Sequence, residues 1–326
     1  MIPKAGTTAM NEQQFHDLAA FLRAHDNYEI LTHAYPDGDT LGSGFALCLA
    51  LQQLGKNARV ITTGVSKDFV FLQKEIREQS FAPHTVVSVD VADEKLLGEN
   101  REKYEGRIDL CVDHHGTNKV QAPLRFVDGS AAANCEILYR LFQYMGIEIT
   151  RAIANNLYTG ISTDTGCFRY SNTTSDTLRL AASLMDEPAG CDTAYINKVM
   201  FETKTRKKLM LEREIYDTID YCAANRCAMI AVTLDIQQKV GVGDGELEGL
   251  ASIPRQIEGV EIGITLREKA KDDFKISVRT NEHVINAAQF CARFGGGGHA
   301  AAAGCSVKGS LTDVKAQLKA AVEELI

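Results

Sequence analysis

The chain has 326 residues, 45% of them hydrophobic and 24% charged, and its 35 Lys and Arg against 43 Asp and Glu give a formal net charge of −8. That length is comfortable for two domains, and the acidic balance excludes a protein that coats long nucleic acid through a general basic field. A small anionic substrate stays admissible, because bound divalent cations reverse the local field.

The longest apolar stretch, around Phe45 to Leu51, is far too short to span a bilayer, and Met1-Ile2-Pro3-Lys4 lacks the basic-then-apolar pattern of a signal peptide. A cytoplasmic protein with no membrane partner is therefore expected. Nine cysteines, whose closest pair Cys222 and Cys227 does not match a zinc-ribbon spacing, read as buried reduced thiols.

In chain order, a helix over 11–26 presents Phe15, Leu18, Ala19 and Leu22 on one face, and a strand over 29–33 follows. A second helix over 40–55 is predicted, with Thr40 as N-cap and Gly55 at its close. Then come a strand over 58–63, a helix around Asp68 to Arg77, and strands over 85–90 and 108–113. A helix over 134–146 ends at Gly146, and another begins near Arg151. Strands alternating with helices predict an α/β fold with a doubly wound, mostly parallel sheet, which binds its ligands beyond the carboxyl ends of the strands.

The segment from Asp186 to Lys208, with its basic run Lys204 to Lys208, reads as a partly helical connection whose charges form a solvated face. Beyond it, strands are predicted over Ala228–Leu234, Val260–Glu268 and Phe274–Arg279, then a glycine-rich turn at Gly295 to Gly298 and a helix from Leu311 to Leu325. The expected division is a catalytic domain over 1–186, a linker over 187–210 and a smaller α/β domain over 211–326.

Three predicted strands run into metal-capable side chains. The first leads to His33, Asp37 and Asp39, the next to Asp90, and the third to Asp113-His114-His115. Hard divalent ions want oxygen ligands, with imidazole tolerated by manganese, cobalt, iron and zinc. Pro36 stiffens the first turn and Gly38 lets it bend, so Asp37 and Asp39 can point to different ions, with Asp90 placed to bridge them. His114 and Asp164 would complete the second ion. Each piece has a bland reading as an N-cap, a turn or a surface histidine. Four such coincidences, in order on one sheet edge, make the metal reading the stronger one.

His33-x-x-Pro36-Asp37-x-Asp39, Asp90, Asp113-His114-His115 and Asp164 resemble, in order, the four motifs of the DHH phosphoesterase superfamily. Gly295-Gly296-Gly297-Gly298-His299, followed by Ala300 to Gly304, resembles the signature of the associated DHHA1 substrate-binding domain. Together they cover nearly the whole chain and are most similar to the stand-alone NrnA-type oligoribonuclease and pAp-phosphatase group.

The resemblance implies one ion held by His33, Asp37 and Asp90, and a second held by Asp39, Asp90, His114 and Asp164. It implies two manganese ions, with magnesium or cobalt as substitutes. Asp113 becomes a support that orients a histidine, and His115 a phosphate contact or proton donor.

Two such ions can hold a water, lower its pKa and clamp phosphoryl oxygens for in-line attack, with Asp37, Asp39, Asp90, His114, His115 and Asp164 as the catalytic set. Backbone N–H groups of Gly296, Gly297 and Gly298 can approach a phosphate closely, His299 adds a donor, and Arg279 supplies a bidentate fork. The expected active site is a cleft between the domains that closes on substrate.

The substrates expected are short RNA, roughly two to five nucleotides long, and 3′-phosphoadenosine 5′-phosphate (pAp), with no basic track for a long strand. A homodimer is compatible with this reading. The competing readings are a cyclic-dinucleotide phosphodiesterase and a nucleotide-binding sensor without turnover.

Overall fold

The computed structural model describes residues 10–247, 249–280, 285–298 and 300–325. The chain forms two compact units, residues 1–203 and 204–326. No helix among the described residues is long and apolar enough to cross a membrane.

The first unit contains α1 (Glu12–Ala24), β1 (Tyr28–Leu31), α2 (Gly38–Gln53), β2 (Ala58–Ile61), β3 (Thr85–Val89), α3 (Arg101–Tyr104) and β4 (Leu110–Asp113). It continues with β5 (Leu124–Val127), α4 (Asn134–Met145), α5 (Arg151–Asp164), α6 (Ser175–Met185) and α7 (Thr193–Asn197). Its five strands are all parallel, in the order β2-β1-β3-β4-β5.

Alternation along the strands sends side chains to both faces. Tyr28, Ile30, Val87, Val89, Leu110 and Val112 join a large core with buried residues of α1, α2, α4 and α5. Leu31, Val86 and Cys111 face the other way, against Leu97, Tyr104, Ile108 and Val120. That second face is covered by the 3-10 run Glu94–Asn100 and the single turn of α3.

The strand order reverses between β1 and β3, which opens a crevice at their carboxyl ends. His33 follows β1 and Asp90 follows β3, so the switch point is where the candidate ligands begin.

Two local expectations are corrected. The second helix starts at Gly38 and its cap is Asp37, whose Oδ1 accepts the N–H groups of Asp39 and Thr40, both at 3.1 Å. Thr40 is not the cap; its hydroxyl donates to the Val89 carbonyl at 3.2 Å and ties α2 to β3.

The helix expected around Asp68 to Arg77 is a single 3-10 turn, Val70–Gln73. The Gln52 side chain explains why it stops. Its amide donates to the Arg77 carbonyl at 2.8 Å and its carbonyl accepts the Arg77 N–H at 3.1 Å, taking the backbone groups a longer helix would need. Phe69 and Phe71 still pack near Leu41 and Phe45, so the apolar spacing served a small satellite core.

The segment expected to connect the domains contains α7 and a π turn, Lys198–Glu202, and its Ala189 and Ile196 are buried in the first unit's core.

The second unit contains α8 (Arg206–Tyr216), β6 (Asp220–Cys222), β7 (Cys227–Val232), α9 (Leu234–Val240), β8 (Ile262–Ala270) and β9 (Asp273–Thr280). After these come α10 (Ala287–Ala292), β10 (Gly297–Gly298), β11 (Ala302–Lys308) and α11 (Leu311–Glu323). The six strands run β10-β11-β9-β8-β7-β6, with only β7 and β8 parallel. One face carries Ile264, Ile276, Val278 and Cys305 against Phe290, Val314 and Leu318.

The glycine-rich turn is partly strand. Gly297 and Gly298 pair with Gly304 and Ala303 of β11. A side chain at Gly296 would meet Gly304 and Cys305, and one at Gly298 would meet Ala303, so close approach to β11 requires glycine at both.

Candidate metal centre

The first unit gathers three groups of potential ligand atoms: His33, Asp37 and Asp90; Asp39, His114 and Asp164; and Asp90, His114 and His115. The residues arrive on several pieces of the fold. His33 and Asp37 lie in the β1–α2 loop, braced where Ala34 N–H donates to the Leu96 carbonyl at 2.7 Å. Asp39 is in the first turn of α2, Asp90 just beyond β3, His114 just beyond β4, and Asp164 is the last residue of α5.

Asp90 stands between the two halves. Its Oδ2 is 3.9 Å from His33 Nε2, and its Oδ1 is 3.4 Å from His114 Nε2. His33 Nε2 is 3.6 Å from Asp37 Oδ2 on one side. On the other, His114 Nε2 is 3.8 Å from Asp39 Oδ2 and 3.3 Å from Asp164 Oδ2. Asp90 also has φ of +56°, a left-handed backbone that places its carboxylate at the strand end.

Second partners fix the histidines. His114 Nδ1 is 3.3 Å from the Ala131 carbonyl, so that nitrogen donates there and Nε2 is the atom turned toward the carboxylates, free to ligate once it gives up its proton. His115 Nδ1 lies 2.8 Å from Asp113 Oδ1 and 3.6 Å from Asp90 Oδ1. The shorter contact decides its role. A protonated Nδ1 donating to Asp113 cannot also ligate, which leaves His115 Nε2 as the working atom. Asp113 is completely buried, accepts the His114 N–H at 2.8 Å and takes a 2.6 Å hydrogen bond from the Asn118 amide.

Asp39 is completely buried at the start of α4, where Asn134 N–H and Cys135 N–H donate to its two oxygens at 2.6 and 3.0 Å. No side chain of α4's own caps that terminus, so Asp39 is the cap supplied from α2.

The electrostatics are those of a cation site. Burial, with Asp39 close by, raises the Asp90 carboxyl well above its ordinary range; burial likewise raises Asp39 and, again with Asp39 as neighbour, pushes Asp164 up to about 8. Burial opposes charge on His114, yet Asp90, Asp39 and Asp164 outweigh it and hold the imidazole well above its usual range. The surrounding protein would also raise Asp37, whose side chain is still 55% exposed, and the buried Asp113, but His33 beside the first and the hydrogen bond from His115 to the second keep both low.

The donor set fits divalent cations on one further observation. Asp90 Oδ1 is buried without a hydrogen-bond partner among the described residues, an omission that an ion would repair.

Metal loading at neutral pH should therefore release protons. Asp164, pushed up to about 8, holds its proton at pH 7 in the metal-free protein, Asp39, Asp90 and His114 are shifted in the same upward direction, and a ligating oxygen or nitrogen must lose its proton. Affinity should rise with pH through about 8, the value to which Asp164 is pushed. Calorimetric titration with Mn²⁺ at pH 7 in buffers of different ionisation enthalpy should give different heats; identical heats would contradict the assignment.

The structure thus brings together all six metal-ligand candidates, His33, Asp37, Asp39, Asp90, His114 and Asp164, with His115 beside them. In the second unit, Arg279 sits opposite Ala302 in β11 while Gly298 sits opposite Ala303, so the two flank the start of that strand. The Arg279 guanidinium donates to the Val278 carbonyl at 3.1 Å. Gly296, Gly297 and Gly298 lie on the edge described above, and His299 lies outside the described residues.

Sequence reasoning missed Asn118, the Ala131 carbonyl, the Asn134 and Cys135 amides and Asn172. The Asn172 amide donates to the Ala132 carbonyl at 3.0 Å and the Asp164 carbonyl at 3.2 Å, tying the loop before α4 to the end of α5. Backbone groups leave no residue-type signal; the two asparagines left only their polarity in otherwise ordinary turns.

A parallel sheet with Asp and His gathered at its switch point is a setting for metal-assisted phosphoester hydrolysis. The DHH family, N-terminal domain, matches residues 28–161 and the DHHA1 domain matches residues 228–326; the chain belongs to this family.

Among its relatives is the bifunctional oligoribonuclease and PAP phosphatase NrnA of Thermus thermophilus, 32% identical over 287 residues, which span 86% of this chain and 84% of that one. The probable bifunctional oligoribonuclease and PAP phosphatase NrnA of Streptococcus mutans is 26% identical over 295 residues, 90% of this chain and 93% of the relative. An exopolyphosphatase-related protein from Bacteroides fragilis has the same fold, with a TM-score of 0.86, 21% identity and 99% and 98% of the two chains covered.

Proposed function

We propose that this protein hydrolyses very short oligoribonucleotides, from dinucleotides to roughly five nucleotides, to mononucleotides, and removes the 3′-phosphate of pAp to give AMP. The observation that carries the reading is Asp90 between two ligand sets, His33 with Asp37 and His114 with Asp39 and Asp164. The relatives named for both activities, one of them 32% identical over most of the chain, support the choice of substrate.

We assign His33, Asp37 and Asp90 to one cation and Asp39, Asp90, His114 and Asp164 to the other, with manganese as the metal. Bound divalent cations would supply positive charge for the phosphoryl oxygens and lower the pKa of the attacking water. The chain's own residues do the rest. Asp113 holds the Nδ1 proton of His115, so Nε2 is the atom that can give a proton to the leaving nucleoside oxygen. One P–O bond to water forms, the ester P–O bond breaks, and the leaving oxygen departs as an alcohol. Arg279, Gly296, Gly297, Gly298 and His299 are proposed as the substrate contacts of the second unit.

The test is a panel of linear dinucleotides, five-residue RNA, pAp and a cyclic dinucleotide with Mn²⁺. Linear dinucleotides and pAp should be turned over fastest. A cyclic dinucleotide hydrolysed faster than its linear product would overturn the reading.

A further inference from the structure

Directly after Asp164 the backbone does something costly. Gly166, Cys167 and Phe168 have φ of +56°, +57° and +62°, a left-handed turn that two of these three residues adopt only at a steric cost. Such strain persists where the surroundings over-determine it, and it concentrates at sites of ligand contact.

The turn has a definite result. Phe168 is turned inward, its ring 5.9 Å from that of Tyr158, while Tyr170 is left 54% exposed. The Tyr170 ring lies over Gly166, occupying the space where a side chain at that position would begin. Its backbone is held as well, with Tyr170 N–H donating to the Thr165 carbonyl at 3.0 Å and Thr173 N–H to the Tyr170 carbonyl at 3.1 Å. Asn172 then returns the chain to the Asp164 carbonyl. One edge of the ring is thus seated on glycine, just over half of the residue is exposed, and the turn is tied to Asp164.

We infer that Tyr170 is a stacking platform for a nucleobase of the substrate whose phosphate is held at the Asp90 centre. The inference rests on the hydrolytic reading above and adds to it a determinant for the base. A tyrosine has only two χ angles to immobilise, so it costs little entropy to use, and stacking accepts any base because every base has a π-face. A phosphate held beside Asp164 brings the attached nucleoside within a few bonds of this turn. An inward Tyr170, like Phe168, would have served packing alone; the exposed ring does not.

The test is steady-state kinetics of the full chain with Mn²⁺, comparing a linear dinucleotide with its abasic analogue. In Tyr170→Ala, kcat/KM for the dinucleotide should fall roughly 5- to 150-fold, the equivalent of one lost stacking contact, chiefly through KM. Hydrolysis of the abasic analogue should be unchanged. Tyr170→Phe should behave as the unaltered protein, and Tyr170→Leu, which keeps bulk over Gly166 without a π-face, should behave as the alanine variant.

Equal losses on both substrates, or no loss on the dinucleotide, would overturn the inference. Binding of AMP against ribose 5-phosphate separates the two layers of argument. A Tyr170-dependent preference for AMP in a protein that hydrolyses no dinucleotide would sink the hydrolytic reading and leave the platform standing; no such preference would sink the platform.

Discussion

Replacing Asp90 by Asn should abolish hydrolysis and, without metal, make the protein more stable. Loss of an outer partner of a metal ligand already costs about 10- to 100-fold in affinity or activity, so loss of the shared ligand should exceed about 100-fold. The stability change has the opposite sign. Asp90 is buried, with one oxygen unpartnered among the described residues, and lies near Asp39. Its folded carboxyl binds a proton more tightly than the unfolded one, so its contribution turns against folding as pH rises from the ordinary carboxylate range toward the raised folded value.

Asparagine removes that charge and tolerates the left-handed φ of +56°. At pH 7.5 with chelator, the variant's midpoint of thermal unfolding should lie above that of the unaltered protein, by about 2–4 °C for each kcal/mol gained. With Mn²⁺ the order should invert, because only the unaltered protein gains binding energy. A variant less stable than its parent under both conditions would show Asp90 to be structural.

Gly160→Val should destabilise the first unit and loosen the second ligand set together. A side chain at this position in α5 would meet Cys135 Sγ, and would stand 2.6 Å from Asp39 Oδ1 and 3.1 Å from Asp39 Cα. The better helix propensity of valine returns less than about 1 kcal/mol, whereas overpacking costs about 1–3 kcal/mol, and here the displaced group is a buried carboxylate. We expect a net loss of at least about 1 kcal/mol, read by denaturant unfolding, and weaker Mn²⁺ binding. Unchanged stability with unchanged metal affinity would show that α2 and α5 can separate at no cost to Asp39.

The candidate ligands that the fold brings together were legible in the sequence because chemistry and order coincide there. Short apolar runs ending in Asp and His announce a parallel sheet edge, and His33, Asp37, Asp39, Asp90 and His114 all fall on it. Asp164 was legible only by motif, since it ends a helix, not a strand.

What the sequence hid is tertiary. Whether Asp37 or Thr40 caps α2 depends on the Val89 carbonyl, which takes the Thr40 hydroxyl. The helix around Asp68 to Arg77 has the right spacing and is cut short by Gln52, a residue from another element. The strand β5 is four residues long with one buried side chain, too brief for an alternation to register. Gly296 and Gly298 read as freedom for a phosphate, and the clearance that β11 also demands of them is visible only in the folded sheet.

The central claim is that Asp90 serves two ions at once. Anomalous diffraction from crystals soaked in Mn²⁺ tests it most directly. The account predicts two peaks about 3.5–4 Å apart, one beside His33 and Asp37, the other beside Asp39, His114 and Asp164, with Asp90 touching both. A single ion, or a pair that Asp90 does not join, would contradict it.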